Sequence, residues 1–264
     1  ILSSITYIYT HNIFPSFKVS YLIVIVPYFM IKSFLILTSL SIFLFSSEQV
    51  VLVVADDFNS SIAKMECYDG TELVSKAIEV NIGAKGLGWG IGEVNIPHKM
   101  DEPQKHEGDK KAPIGVFKLT SVFGYAKLHD NQMPYLYATD DLICVDDSDS
   151  IHYNQIIKAL GDEKSFEYMR RKDNQYKIGV VVKHNKHRVP QRGSCIFLHI
   201  QKSNKHPTSG CTSMNEHSLQ KIVDWLDADK NPILIQIPAS YRDSILEHYP
   251  NLKESKLLQV KKKN

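Results

Sequence analysis

The chain has 264 residues, 31 Lys and Arg against 29 Asp and Glu, and a formal net charge of +2. That length fits one large domain or two small ones, and 43% hydrophobic with 23% charged residues is ordinary globular composition. The balance of charge excludes binding to nucleic acid by bulk attraction, and four cysteines without a CxxC pair exclude zinc-finger spacing.

The amino-terminal part differs from the rest. Its first 47 residues carry only Lys18 and Lys32 as basic side chains and no acidic one; removing those two leaves residues 48–264 balanced at 29 of each sign. Met30 is followed by Ile31-Lys32-Ser33, an apolar run over residues 34–45, and Ser46-Ser47. A short basic start, an apolar core and small residues after it describe a secretory signal. On this reading Met30 is the start, residues 1–29 are upstream over-translation, and residues 30–47 are a signal peptide or a membrane anchor. The anchor stays open because residues 19–45 are largely apolar and a span needs about 20 such residues. No cysteine near the expected cleavage site suggests a lipoprotein. In either case residues 48–264 form a domain outside the cytoplasm, in the periplasm or cell envelope.

Taken in order, residues 50–55 (VVLVVA) are a buried strand. Residues 63–68 and 73–80 flank Asp69-Gly70, a hairpin signal. Residues 81–92 hold five glycines and Trp89; such a loop either turns tightly or lets a ligand approach the backbone. Residues 97–111, with His98 and His106, read as a solvated loop, and residues 114–120 as a strand. Residues 124–141 are turn-rich and aromatic. Asp146 and Asp147 either cap turns or orient a cationic part of a ligand. Residues 156–171 are mixed and predict one or two short helices. Residues 176–183 and 194–200 are strands. Ser213-Met214-Asn215-Glu216 has the form of a capping box, and Leu219, Ile222, Val223 and Leu226 recur at helical spacing after it. Residues 232–237 are a last strand, 241–248 a short helix, and 261–264 a basic tail. Many short strands and one clear helix predict a mostly β fold with minor α.

The chemistry concentrates in residues 193–214, GSCIFLHIQKSNKHPTSGCTSM. An apolar strand delivers His199, and a Gly-Cys turn precedes a helix. A nearby imidazole and a helix N-terminus both favour a thiolate, which predicts a depressed pKa for Cys211. Cys211 is then the nucleophile and His199 the general base and acid. Gly210 permits the tight turn, and the N–H groups of Cys211 and a neighbour such as Gly210 are the candidate oxyanion hole. The group that orients His199 is not identified, though a backbone carbonyl would serve. Of the other cysteines, one pair and one odd thiol fit an oxidising compartment, with the pairing open and Cys195 read as an inert buried thiol. Metal binding by His184, His187, His199, His206 and Cys211 is the chemical rival, against which stands the absence of HExxH or CxxC spacing.

The same residues carry a resemblance. FLHI, a loop and then Thr208-Ser209-Gly210-Cys211 resembles the signature of YkuD-type L,D-transpeptidases. Residues 86–92 (GLGWGIG), 107–117 (EGDKKAPIGVF) and 144–154 (CVDDSDSIHYN) resemble that family's GWG, EGDGxTPxGxF and CxDD…xYN segments, in the family's order. The similarity spans roughly residues 50–240. It implies a YkuD-like β-sandwich with one or two packed helices, and attack by Cys211 on the bond between a diamino acid and D-alanine in peptidoglycan stem peptides. It further implies Cys211, His199 and Gly210 as catalytic, and Thr208, Ser209, Trp89 and Gly90 as substrate-binding. Neither cofactor nor metal is expected. The implied partners are peptidoglycan stems or an envelope lipoprotein, with no nucleic acid and no membrane contact beyond an N-terminal anchor. Two departures bear on the net reaction: Ser209 replaces a second His of many members, and Ser213 replaces Arg or Asn. The His-to-Cys spacing is also shorter. Transfer to an amine, hydrolysis as an L,D-carboxypeptidase, a silent wall-binding domain and a cysteine amidase of other specificity all stay open.

Overall fold

The computed structural model describes residues 8–14, 17–22, 48–128 and 130–259. The expected signal or anchor at 30–47 and the basic tail at 261–264 lie outside them. Among the described residues no helix is long and apolar enough to cross a membrane. The chain divides into two units, residues 1–46 and 47–264. In the first, β1 (Ile8–Phe14) and β2 (Phe17–Leu22) pair antiparallel, Ile8 opposite Leu22.

The second unit is a mostly β fold around a ten-stranded, barrel-like sheet. Its centre is β3 (Gln49–Ala55), buried at every position, and β15 (Ile233–Pro238), equally buried. They run parallel, Ile233 beside Val50 and Pro238 beside Ala55. A strand covered on both faces has no polar side to alternate, which is why QVVLVVA reads as a continuous apolar run. β3 pairs antiparallel with β4 (Ile62–Asp69), and β4 with β5 (Glu72–Asn81). Asp69 and Glu72 are the last pair of that hairpin, so its two-residue turn is Gly70-Thr71, one position beyond the expected dipeptide. Gly70 sits at φ +61°, as such a turn requires.

Closure comes from β7 (Ala112–Gly124), longer than expected. Its start pairs with β6 (Leu87–Trp89), its middle with β15, and its end with β12 (Ile178–Val182) and β8 (Tyr135–Tyr137). The path then runs through β13 (Phe197–Ile200) and β14 (Thr212–Met214) back to β5. The helix α1 (Glu216–Trp225) buries Leu219, Ile222 and Val223 and packs on β12 and β13. A second helix, α2 (Arg242–His248), follows β15.

Two expectations change here. Residues 156–171 form no helix but two short strands, β10 (Ile156–Lys158) and β11 (Phe166–Tyr168), on either side of β9 (Leu142–Val145). Gly161 at φ +96° turns the chain between them, and Ile156, Ile157, Phe166 and Tyr168 suit a pleated surface better than a helix. The N-cap of α1 is Asn215, whose side chain accepts from Ser218 N–H at 2.9 Å, not Ser213. Ser213 is already committed to β14, opposite Asn81 and alongside His199.

The cysteine pairing is settled by the fold. Cys144 on β9 and Cys195 just before β13 form a disulfide, and Cys67 and Cys211 are free and buried. Cys195 is therefore a cross-link, not an inert thiol. It ties the three-stranded β10–β9–β11 sheet to the strand that carries His199.

Candidate active site

The site is built on the parallel pair β13 and β14. Their register sets Leu198 beside Thr212 and His199 beside Ser213, and Cys211 immediately precedes β14. The pair is pinned from behind: Thr212 Oγ1 donates to Gln236 Oε1 at 2.7 Å, and Gln236 Nε2 donates to Pro113 O at 2.8 Å, joining β14, β15 and β7 through one buried amide. The turn ahead of Cys211 is held by Thr208, whose hydroxyl donates to Cys211 O at 2.6 Å and accepts from Gly210 N–H at 3.1 Å. Thr208 thus has the turn-holding role. The Gly210 N–H is spent inside the turn, so the oxyanion hole expected from Gly210 and Cys211 together does not form in that way. Gly210 itself sits at φ +151°, and a Cβ there would press to 3.0 Å from Lys111 O.

Cys211 is 8% exposed. Its sulfur accepts from Phe197 N–H at 3.3 Å and its S–H donates to Cys195 O at 3.5 Å. Burial, with the Glu167 carboxylate second, pushes the thiol up to about 12, against the smaller pull of Phe197 N–H, the Lys105 ammonium and the Tyr176 hydroxyl. This reverses the expected depression. The expected helix does not begin at the Gly-Cys turn, because β14 intervenes and α1 starts only at Glu216. Its dipole therefore does not act on the sulfur, since that effect fades within the first turn. The ligand-free Cys211 side chain is a neutral thiol.

His199 is buried as well, and burial lowers it to about 4, so it is a neutral imidazole at working pH. Nδ1 lies 2.8 Å from Ile200 O. A carbonyl only accepts, so Nδ1 carries the proton and Nε2 keeps its lone pair. The orienting group that the sequence left open is this backbone carbonyl. His199, Cys211, Thr208, Ser209 and Ser213 line one cavity of about 250 Å³.

The same cavity takes in residues that sequence reasoning missed. Glu167 on β11 is half-buried, and desolvation of its carboxyl raises its pKa. Tyr176 donates to Glu167 Oε2 at 2.7 Å and sets its ring edge-on to His199, centroids 5.3 Å apart. Arg171 lies over the Tyr176 ring at 5.0 Å and pairs with Asp173. The alternation Phe166-Glu167-Tyr168 was the available signal: an acidic residue flanked by aromatics in a short strand faces away from them. No family model, curated protein or solved structure matches this chain.

Other expected site residues lie elsewhere. Trp89 is 3% exposed and absent from the cavity wall. It stacks on His98 at 4.1 Å, meets Tyr241 edge-on at 4.8 Å and donates to Glu102 Oε2 at 2.8 Å. It anchors the glycine-rich loop. Gly90 faces Pro113 and His184, where a Cβ would come within 2.8 Å of Pro113 Cβ. His184 has both ring nitrogens committed: Nε2 donates to Arg192 O at 2.8 Å, and Nδ1 accepts from Ile91 N–H at 3.3 Å. The loop over 97–111 is less solvated than expected, because Lys105 is buried and paired with Asp109 at 2.6 Å. Asp147 caps a turn, accepting from Asp149 N–H at 3.1 Å. Among the described residues no group of three His, Cys, Asp or Glu side chains is arranged to hold a metal ion.

Proposed function

We propose that this protein is an L,D-transpeptidase-like acyltransferase of the envelope, a divergent YkuD-type enzyme with a Thr-x-Gly-Cys motif, acting on peptidoglycan stem peptides. The observation that carries the reading is that His199 on β13 and Cys211, just ahead of the adjacent parallel strand β14, open on one cavity, with His199 Nδ1–H capped by Ile200 O. The resemblance supplies the substrate class. The Cys144–Cys195 disulfide supports an oxidising compartment such as the periplasm.

Starting from a neutral thiol and a neutral imidazole, the thiol proton leaves Cys195 O and passes to His199 Nε2 as sulfur attacks the carbonyl of the diamino acid–D-alanine bond. His199 then protonates the departing amine of D-alanine. The acyl-thioester is resolved by an amine of another stem, which forms a cross-link, or by water, which makes the enzyme an L,D-carboxypeptidase. The small side chains of Ser209 and Ser213 on the cavity wall admit either acceptor, and an envelope lipoprotein amine is a third.

The test is mass spectrometry of purified muropeptides incubated with the full chain, wild type beside Cys211→Ala. A dimer joined without a D-alanine bridge makes it a transpeptidase, and tripeptide plus free D-alanine a carboxypeptidase. Equal product from Cys211→Ala, or none from the wild type, sinks the reading.

A further inference from the structure

Ser213 is 1% exposed, and its hydroxyl has no hydrogen-bond partner, although it lines the cavity with Cys211 and His199. A buried hydroxyl left unpaired costs free energy, and native proteins keep few of them. The strand geometry states where this one is. Ser213 is the register partner of His199 across β13 and β14, so the two side chains share a face. It stands two residues after Cys211, and alternation in an extended chain returns it to the side of the sulfur. Nucleophile, base and unpaired hydroxyl therefore face the same space, with the hydroxyl at the level of the base.

We infer that Ser213 is the acceptor-contacting residue of the site: its Oγ takes the second N–H or O–H of the primary amine or water that resolves the acyl-thioester. The inference rests on the acyltransferase reading of the cavity, not on the identity of the acyl group. The chemistry requires such a partner. An attacking primary amine has one lone pair and two N–H bonds. The lone pair goes to the thioester carbon and one proton to His199 Nε2, while the C–S bond breaks and sulfur recovers a proton from the imidazolium. The second N–H is left facing the protein, and an attacking water, once it has given one proton to His199 Nε2, likewise leaves its second O–H there. A serine oxygen accepts it, and the single χ1 torsion of serine is the only adjustment needed. By microscopic reversibility the amine that leaves in the first step occupies the same place.

The experiment uses the full chain and a probe independent of peptidoglycan. p-Nitrophenyl acetate is used to place an acetyl group on Cys211, located by peptide mass spectrometry with Cys211→Ala as control. The acetyl-enzyme is then resolved by glycinamide, a primary amine, or by sarcosinamide, its secondary-amine analogue, whose nucleophilic nitrogen has only one N–H. Ser213→Ala is expected to slow transfer to glycinamide and hydrolysis by about ten-fold, the worth of one hydrogen bond made only during reaction. It should leave transfer to sarcosinamide unchanged. Its thermal midpoint should be equal or higher, because an unpaired buried hydroxyl has been removed. Equal loss with both amines, no loss with either, a lower midpoint, or a wild type that is not acetylated at Cys211 overturns the inference. Amine discrimination without any action on muropeptides would overturn the wall substrate and leave Ser213 in its role.

Discussion

At the scale of single residues, the thiol is held in its unreactive form. Sulfur sits between a donor, Phe197 N–H, and an acceptor, Cys195 O, and a thiolate could not keep the second contact. With a pKa of about 12, only about one part in 10⁴ is thiolate at pH 8. Alkylation of Cys211 by iodoacetamide in the ligand-free protein should therefore be far slower than that of a free cysteine, and should keep accelerating as pH rises beyond 9. Peptide mapping of the alkylated protein measures this. A rate plateau near pH 7 would mean a thiolate–imidazolium pair instead. The residues of this site were only partly legible. Cys211 and His199 stand out because a strand-borne His and a Gly-Cys turn are rare together. Glu167 and Arg171 do not, because a separate small sheet and the turn after it bring them in, and Tyr176 does not, because it sits just ahead of β12, among residues that read as strand. The sequence reading also lowered the thiol pKa by placing a helix directly after Cys211, where three strand residues stand first.

At the scale of elements, the Cys144–Cys195 bond joins that small sheet to the strand that carries His199. It closes a separation of 51 residues, which on chain-entropy grounds stabilises by about 4 kcal/mol. It has a second effect, because the main chain of Cys195 and Phe197 holds the Cys211 sulfur. Cys144→Ala with Cys195→Ala should thus lower the urea midpoint and also lower the rate of acyl-enzyme formation measured at a temperature where the variant is fully folded. Loss of stability with an unchanged rate would reduce the bond to a cross-link. Elements buried on both faces, β3 and β15, were legible as apolar runs, and so was the apolar face of α1. The β10–β9–β11 sheet was not, since strands of three or four residues are too short to show a period. The capping position shifted by two because Ser213 answers to its neighbours in the sheet rather than to the helix.

At the scale of the whole molecule, buried titrating groups set the pH range of stability. His199 and His184 are each lowered from 6.5 to about 4 by burial. Between those values the unfolded chain binds protons that the folded chain refuses, so stability falls as pH drops from about 6.5 toward 4. Each group is worth about 3 kcal/mol once pH is below both values, since one unit is 1.36 kcal/mol. The buried thiols act at the other end. Cys211 is raised to about 12 and Cys67 to about 11, burial being the main cause in both, so above about pH 9 the unfolded chain releases protons that the folded chain retains. Stability must then fall again. Urea midpoints should be level between about pH 6.5 and 9 and decline on both sides. The acid arm separates the two histidines. His184 uses both ring nitrogens, so a proton added at Nδ1 collides with the Ile91 N–H that it now accepts. His199 would take its proton at Nε2, toward the cavity, where a bound anion can compensate. Replacing His199 by Gln should flatten part of the acid arm and abolish turnover, whereas a wild-type midpoint unchanged from pH 7 to pH 4 would show that neither imidazole is buried as the fold places it.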